Sequence, residues 1–421
     1  MVKERNQALR NSLVVKMILL FAMVLLFAAC TTLAYEKPPG SEEVVSQVPK
    51  PEPRPEPQAK ILDIERKSAT SAPPRFSGDW LADISTIKDR SKNIVPVFYG
   101  TDRKGFGPKD NRSYTGERGE FEYGIAQVSI PKSHNPGELE RPLRILTFEF
   151  FNENTEDHIV IIGKPKVVRK RYFIELLRRN VEANPRDGVF VFIHGYNVSF
   201  NEAIRRTGQL AYDLNFEGPA ITYSWPSKSK VDDYLTDSEQ IHLSKKYMKK
   251  FLVDIKKHSG ASRISVVAHS MGNRAFTRVF SDMVNESGLA SPVFDQVVLA
   301  APDIDAQIFK EEIAPAIKGG ANQITLYTSN NDNVLELSSK LRSKRPRAGQ
   351  SGKDIVVVDG INTIDASSTN DGFFSFLKKG HSYYGEDLIT DLHQIIKNRI
   401  EPKNRLLKPV VAPPGKYWIW K

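Results

Sequence analysis

Between residues 189 and 396 the sequence alternates short apolar runs of β type with amphipathic helical stretches, and this alternation narrows the fold more than any other feature. The runs are 189–193 (VFVFI), 220–223 (AITY), 264–268 (ISVVA), 296–300 (QVVLA), 324–327 (ITLY) and 355–358 (IVVV). Each is short, rich in β-branched residues and almost uniformly apolar, as parallel strands covered on both faces are. Helical periodicity fills the intervals at 201–214, 240–257, 273–284 and 306–317. That order makes an α/β protein with a mostly parallel central sheet and helices on both faces. Three earlier runs, at 93–99, 121–130 and 144–151, are separated by Gly, Pro and Asn clusters and predict leading antiparallel strands. Parallel sheets of this kind carry their chemistry in the loops that follow the carboxyl ends of the strands.

With 40% hydrophobic and 26% charged residues in a chain of 421, a sizeable core is available, and disorder throughout is excluded. The formal charge of +10 would suit an anionic partner. The basic residues are spread along the chain, however, and the densest run, 340–347 (KLRSKRPR), has no interleaved aromatics for base stacking. It reads as a solvated loop, and no nucleic acid is expected. Cys30 is the single cysteine of the sequence, which rules out an intrachain disulfide framework or a cysteine zinc site.

Lys3, Arg5, Arg10 and Lys16 precede an apolar run at 17–29 that ends in small residues, the layout of a bacterial secretory signal. A membrane-spanning helix needs about 20 apolar residues, so the run is short for permanent insertion. Its end, Leu26-Phe27-Ala28-Ala29-Cys30, resembles a lipoprotein signal in which the cysteine receives a diacylglyceryl group before cleavage. Phe27 stands where such signals usually carry leucine, and this leaves ordinary signal cleavage and an uncleaved anchor as alternatives. Thr31 after the cysteine points, by the same resemblance, to a bacterial outer membrane, on its periplasmic side. Residues 36–60 are rich in Pro and charge and poor in aromatics; they cannot bury enough apolar surface to offset chain entropy. The expected division is therefore a signal at 1–29, a disordered tether at 30–75, a globular domain at 76–400 and a C-terminal tail at 401–421.

After the run ISVVA comes His269-Ser270-Met271-Gly272-Asn273, followed by a helical pattern. A serine between strand and helix, with glycine two residues on, matches the nucleophile elbow of α/β-hydrolases, with Ala268 in place of the first glycine. A serine hydroxyl requires a base, usually a histidine oriented by a carboxylate, and in this fold the chain order is serine, acid, histidine. Two histidines follow Ser270. His393 falls in a helical stretch, whereas His381 lies in the glycine-containing loop KGHSY, and His381 is the expected base. Asp332, in the turn-rich loop after ITLY, is the preferred acid. Asp303, one strand earlier, is its rival, with Asp305 and Asp365 behind, and each could equally be a turn or capping residue. The oxyanion donors expected are the amides of Met271 and of Tyr196, with Asn197 next, the latter pair in the loop His194-Gly195-Tyr196-Asn197. His194 reads as a structural residue of that loop. Trp225 either lines the acyl pocket or packs in the core.

Taken together, FIHGYN, ITYSWPS, VVAHSMGN, LAAPDID and GHSYY resemble the bacterial α/β-hydrolase family known as domain of unknown function 900, and Val97 to Arg103 (VFYGTDR) looks like that family's leading strand. The resemblance implies a serine-hydrolase fold carrying Ser270, Asp332 and His381, and it supplies no substrate. Hydrolysis of a small-molecule or lipid ester through an acyl-enzyme is the expected activity, with no metal or organic cofactor and with the N-terminal lipid as the membrane contact. A non-catalytic envelope binding protein on the same fold is the alternative.

Overall fold

The computed structural model describes residues 93–140, 157–229, 233–288, 291–330, 345–368 and 386–420, all within the compact unit that runs from Arg75 to Lys421. The signal, the tether and the strand expected at 144–151 lie outside the described residues.

In chain order the elements are β1 (Ile94–Phe106), β2 (Ser113–Ser129), β3 (Val160–Val168), α1 (Lys170–Ala183), β4 (Val189–Ile193), α2 (Phe200–Asp213), β5 (Ala220–Ser224) and α3 (Tyr234–His258). They continue with β6 (Ile264–His269), α4 (Gly272–Ser287), β7 (Phe294–Ala300), α5 (Ala306–Ile308), α6 (Ala314–Ile317), β8 (Ala321–Thr328), β9 (Asn362–Asp365), α7 (Glu386–Ile396), β10 (Leu407–Ala412) and β11 (Gly415–Trp420). The strands form one sheet in the order β10-β11-β9-β8-β7-β6-β4-β5-β1-β2-β3. Its central strands are parallel, and β2 and β10 run antiparallel to their neighbours β1 and β11, with β3 antiparallel to β2 in turn.

Helices cover both faces. On one side α1, α3 and α4 bury Phe173, Phe251, Phe276 and Phe280 against alternate residues of β4, β6 and β7. On the other, α2 and α7 bury Leu210, Leu214, Leu388 and Leu392 against the intervening residues, including Phe190, Val267 and Val298. Every residue of β4, β6 and β7 is buried, which is why these runs lack the alternation of a half-exposed strand. Local signals set the helix ends. Ser199 and Glu202 form a reciprocal capping box at the start of α2, and α4 stops at Gly288, whose φ of 65° is open to a residue without a side chain.

The order of elements agrees with the alternation in the sequence, and the differences are local. The run 355–358 is not a strand: Ile355 and Val356 are buried in irregular chain, and the sheet position beyond β8 is taken by β9 instead. An apolar run reports burial, and periodicity alone cannot say whether it is paired. β3 (VIIGKPKVV) was hidden by its glycine and proline, which suit its place on the sheet edge. The helical stretch at 306–317 is α5 and α6 joined through a π turn at Phe309–Ile313.

Residues 401–421, set apart in sequence as a tail, supply the two strands β10 and β11 beyond β9. Trp418 is buried there, and Trp420 stacks on Tyr327 at 6.1 Å. Arg405 is buried and donates to Asp391 of α7 at 2.8 Å, and the same carboxylate accepts from the Tyr327 hydroxyl. Burial raises the Asp391 carboxyl above its usual range, and Arg405 opposes that shift. Removing one partner of such a pair leaves an uncompensated buried charge, and Arg405→Met is expected to cost about 3–5 kcal/mol in urea unfolding at pH 7. The penalty should shrink as the pH approaches about 4, where the unfolded carboxyl also takes up its proton; a cost that does not change with pH would mean that the charge is not its origin.

Candidate functional site

β4 lies between β5 and β6, with Ile193 level with Tyr223 on one side and Ala268 on the other. Neighbouring strands are only about 4.8 Å apart, so the loops after β4, β5 and β6 emerge side by side at one end of the sheet. Ser270 stands directly after β6, and its amide donates to Ala300 of β7 at 2.8 Å. Its φ is 49°, in the left-handed region that costs a side-chain-bearing residue on the order of 1–3 kcal/mol. This is the backbone of the strand-to-helix elbow expected from the sequence, and α4 begins two residues later.

Close packing holds the turn in place. A methyl group at Gly272 would come within 2.4 Å of the His194 carbonyl oxygen, and one at Gly195 within 2.9 Å of the Ser270 Cβ. The two loops therefore meet backbone to backbone. The Asn273 side-chain amide donates to the carbonyls of Ala268 at 2.9 Å and Ser270 at 3.2 Å, and lies 3.3 Å from that of Ala300. Nothing in the local sequence marks Asn273 for this clamp, since it is an ordinary polar residue of a first helical turn.

The loop after β4 carries the expected oxyanion donors. Tyr196 is buried with its ring edge-on to Tyr234 at 5.4 Å, Asn197 has a φ of 58°, and Met271, across from them, is fully buried. Arg103 from β1 anchors this loop and its neighbour. Its guanidinium is buried and donates to the Val198 carbonyl at 2.7 Å, the Ser227 carbonyl at 2.9 Å and the Ser224 hydroxyl at 2.9 Å. Burial lowers Arg103 to about 10, so it stays charged at neutral pH. Asp237 of α3 completes the tie, accepting from the Ser227 hydroxyl at 2.5 Å, the Lys228 amide at 2.8 Å and the Asn197 amide at 3.3 Å. Trp225 is fully buried, stacks on the His194 ring at 5.0 Å and donates to the His194 carbonyl at 2.8 Å, a packing role in the core.

Two imidazoles adjoin the elbow. His194 has Nδ1 at 2.8 Å from the Gly195 carbonyl, which can only accept, so Nδ1 carries the proton. Its Nε2 then accepts, 3.4 Å from a guanidinium nitrogen of Arg103. Burial and the Arg103 charge hold His194 well below the usual histidine range. Burial, followed by the charge of Arg206, pushes His269 down to about 3. Both rings are neutral packing elements and poor proton acceptors, in line with the structural role expected of His194.

Of the candidate acids, Asp303 is fully buried and both oxygens are engaged. One accepts from Arg347 Nε at 2.9 Å; the other accepts from Arg274 and the Tyr234 hydroxyl, each at 2.6 Å. Its amide donates to the Ser270 carbonyl at 3.2 Å. Asp305 caps α5, accepting from the Gln307 and Ile308 amides, and Asp365 accepts from the amide and hydroxyl of Ser367. His393 sits on α7, as the helical pattern indicated. Asp332 and His381 lie outside the described residues. Arg347 corrects the reading of 340–347 as a solvated loop: it is buried, and its guanidinium faces a carboxylate rather than water. Charge density along the sequence carries no information about such a partner 44 residues away.

Residues 170–399 match the family model described as an alpha/beta hydrolase of unknown function (DUF900), which is more than half of the chain. Among solved structures, an esterase of Pyrobaculum calidifontis is 12% identical with a TM-score of 0.28, over 51% of this chain and 77% of that one. An esterase of Rhizomucor miehei is 11% identical with a TM-score of 0.31, over 78% and 92%. The phospholipase PlaB of Legionella pneumophila is 12% identical with a TM-score of 0.27, over 56% and 68%. Likenesses of this strength carry no argument about activity. A search among curated proteins gives no match.

A histidine that must stay neutral in the fold destabilises it at low pH, because the unfolded chain takes up the proton first. For His269 the window runs from about 6.5, the unfolded value, down to about 3. Stability should therefore fall as the pH is lowered through this window, by at most about 1.4 kcal/mol per pH unit from this one group. His269→Gln should flatten the decline, measured as urea midpoints from pH 7 to 4. Equal slopes in the two proteins would show that His269 titrates normally.

Proposed function

Because the chain belongs to the alpha/beta hydrolase family of unknown function whose model it matches, we propose that it is a serine hydrolase acting on an ester, with Ser270 as nucleophile, His381 as base and Asp332 as the carboxylate that orients it. The observation that carries this reading is Ser270 itself, held in a left-handed turn at the carboxyl end of β6 with a glycine-containing loop against it. Backbone strain of this kind persists where the surroundings over-determine it, and a hydroxyl raised above a parallel sheet is the arrangement that acyl transfer uses.

In this mechanism the imidazole of His381 takes the proton of Ser270 as its oxygen attacks the ester carbonyl. The amides of Met271 and Tyr196 stabilise the oxyanion that develops, a contribution worth about 2.7–4 kcal/mol per donor in related chemistry. The imidazolium then protonates the departing alcohol, leaving an acyl group on Ser270, and water activated by the same imidazole releases the acid. Two observations support the choice of residues. The nearby imidazoles, His194 and His269, are held neutral and poorly basic, so a base from elsewhere in the chain is required. Asp303 has both oxygens committed to arginines and a tyrosine, which favours Asp332 as the acid.

A fluorophosphonate probe tests the assignment. The protein is expected to be labelled, Ser270→Ala to abolish labelling, and His381→Ala to reduce the rate by at least about a thousandfold. Asp332→Asn should lower kcat far more than Asp303→Asn at equal folded fraction. Failure of the wild-type protein to label beside a reactive control esterase would replace the hydrolase reading with a binding role on the same fold.

The proposal extends to location: Cys30 is lipidated and the Pro-rich segment 36–60 tethers the domain to a bacterial envelope membrane, where a lipid ester is an accessible substrate. Metabolic labelling with a fatty acid should mark the wild-type chain and not Cys30→Ser, which should leave the membrane fraction. Label that persists on the variant would overturn the anchor.

A further inference from the structure

A cavity of about 530 Å³ lies beside the nucleophile loop, between α3, α4, α5 and the segment around residue 346, and five cationic side chains line it. Lys245 comes from α3, Arg274 and Arg278 from α4, and Arg345 and Arg347 from the basic run noted in the sequence. Two carboxylates, Asp303 and Asp305, share the lining, and both have other duties. Asp303 is divided between Arg274 and Arg347, so one negative charge faces two positive ones in a place nearly closed to water. Asp305 uses one oxygen to cap α5, and the other is 4.0 Å from Arg345. Lys245 shares Asp282 with Lys249, and Arg278 makes no ion pair among the described residues.

Arg278 is exposed, and the Arg345 and Lys245 side chains are 71% and 33% exposed, so the excess positive charge stands at the mouth of the cavity and attracts an anion through a field that salt screens. Guanidinium groups present several donors in a fixed fork that matches phosphate oxygens in pairs. Ser238, His242 and Ala275 also line it, and Ile241, Ile304, Ile308 and Ile313 offer an apolar surface to an organic remainder. Asp303 links this lining to the elbow: it accepts from the Tyr234 hydroxyl, whose ring packs on Tyr196, and its amide donates to the Ser270 carbonyl. Ser270 is not among the lining residues, and Asp303 joins the lining to it.

We propose that this cavity binds a small organic ligand through a phosphate group held by Arg278, Lys245 and Arg345. The proposal does not depend on the hydrolase reading. The test is calorimetric titration of the full chain in the Ser270→Ala background, so that turnover does not enter, with three probes: inorganic phosphate, glycerol phosphate and monomeric dihexanoyl phosphatidylglycerol. Binding in the millimolar range or tighter is expected, together with at least about tenfold weakening in Arg278→Gln/Lys245→Gln and a further loss when NaCl is raised to about 1 M. Both substituted residues reach solvent, so the melting temperature should hold, and Arg278→Lys should retain most of the affinity. Tighter binding of the lipid would identify a headgroup as the source of the phosphate; tighter binding of glycerol phosphate would identify a soluble metabolite, and either supports the site. No heat with any probe, or unchanged affinity in the folded double variant, would overturn it.

Discussion

Arg103 gives up its water to join two loops that local sequence does not bring together. Its donors reach Val198 after β4 and Ser224 and Ser227 around the end of β5, and β1 delivers it there by pairing in parallel with β5. A buried guanidinium is tolerated only when its donors are satisfied and a counter-charge is near. Carbonyl and hydroxyl oxygens supply the first condition; Asp102 and Asp237 supply the second. The loop that is expected to offer oxyanion donors is thus held by an electrostatic obligation, and burial, with the same charge adding to it, keeps His194 neutral. Electrostatic stabilisation in a site depends on donors that are already in place, and a buried ion cluster is one means of keeping them there.

The elbow is held by a different force. Steric contact between Gly272 and His194, and between Gly195 and Ser270, leaves the two loops no room to slide. Asn273 then collects the carbonyls that a left-handed turn would otherwise strand in the interior. Packing thus sets the shape of the turn and hydrogen bonding keeps it from relaxing. Ala268 in place of glycine is compatible with this, because it is fully buried within β6 and lies outside the left-handed turn.

Much of the fold was legible because burial on both faces leaves an unmistakable record of apolar β-branched residues. β4 to β8 and the helices between them could be read on that basis, and so could the elbow, whose serine and following glycine sit at a strand-to-helix junction. Legibility failed where a residue's neighbours are distant in sequence. Ile355 and Val356 have the composition of a strand but find no partner, whereas β9 and β11 pair although their sequences are short or aromatic. Arg347 looked like one of several exposed cations until Asp303 was placed beside it. Nothing in the local sequence marks Asp102, Arg103 and Asp237 as partners in a buried cluster, for the same reason.

The chain's own chemistry determined which side chains could serve: a serine between strand and helix, a glycine to let the backbones meet, and enough apolar surface for a two-faced sheet. Tertiary structure alone decided that β4 lies next to β6, which sets the glycine loop against the serine, and that Asp303 faces two arginines instead of an imidazole. The physical reason is range. Propensity and periodicity act over a few residues, whereas strand order and the partners of a buried charge are settled by contacts between segments tens to more than a hundred residues apart, where only the packed structure selects among them.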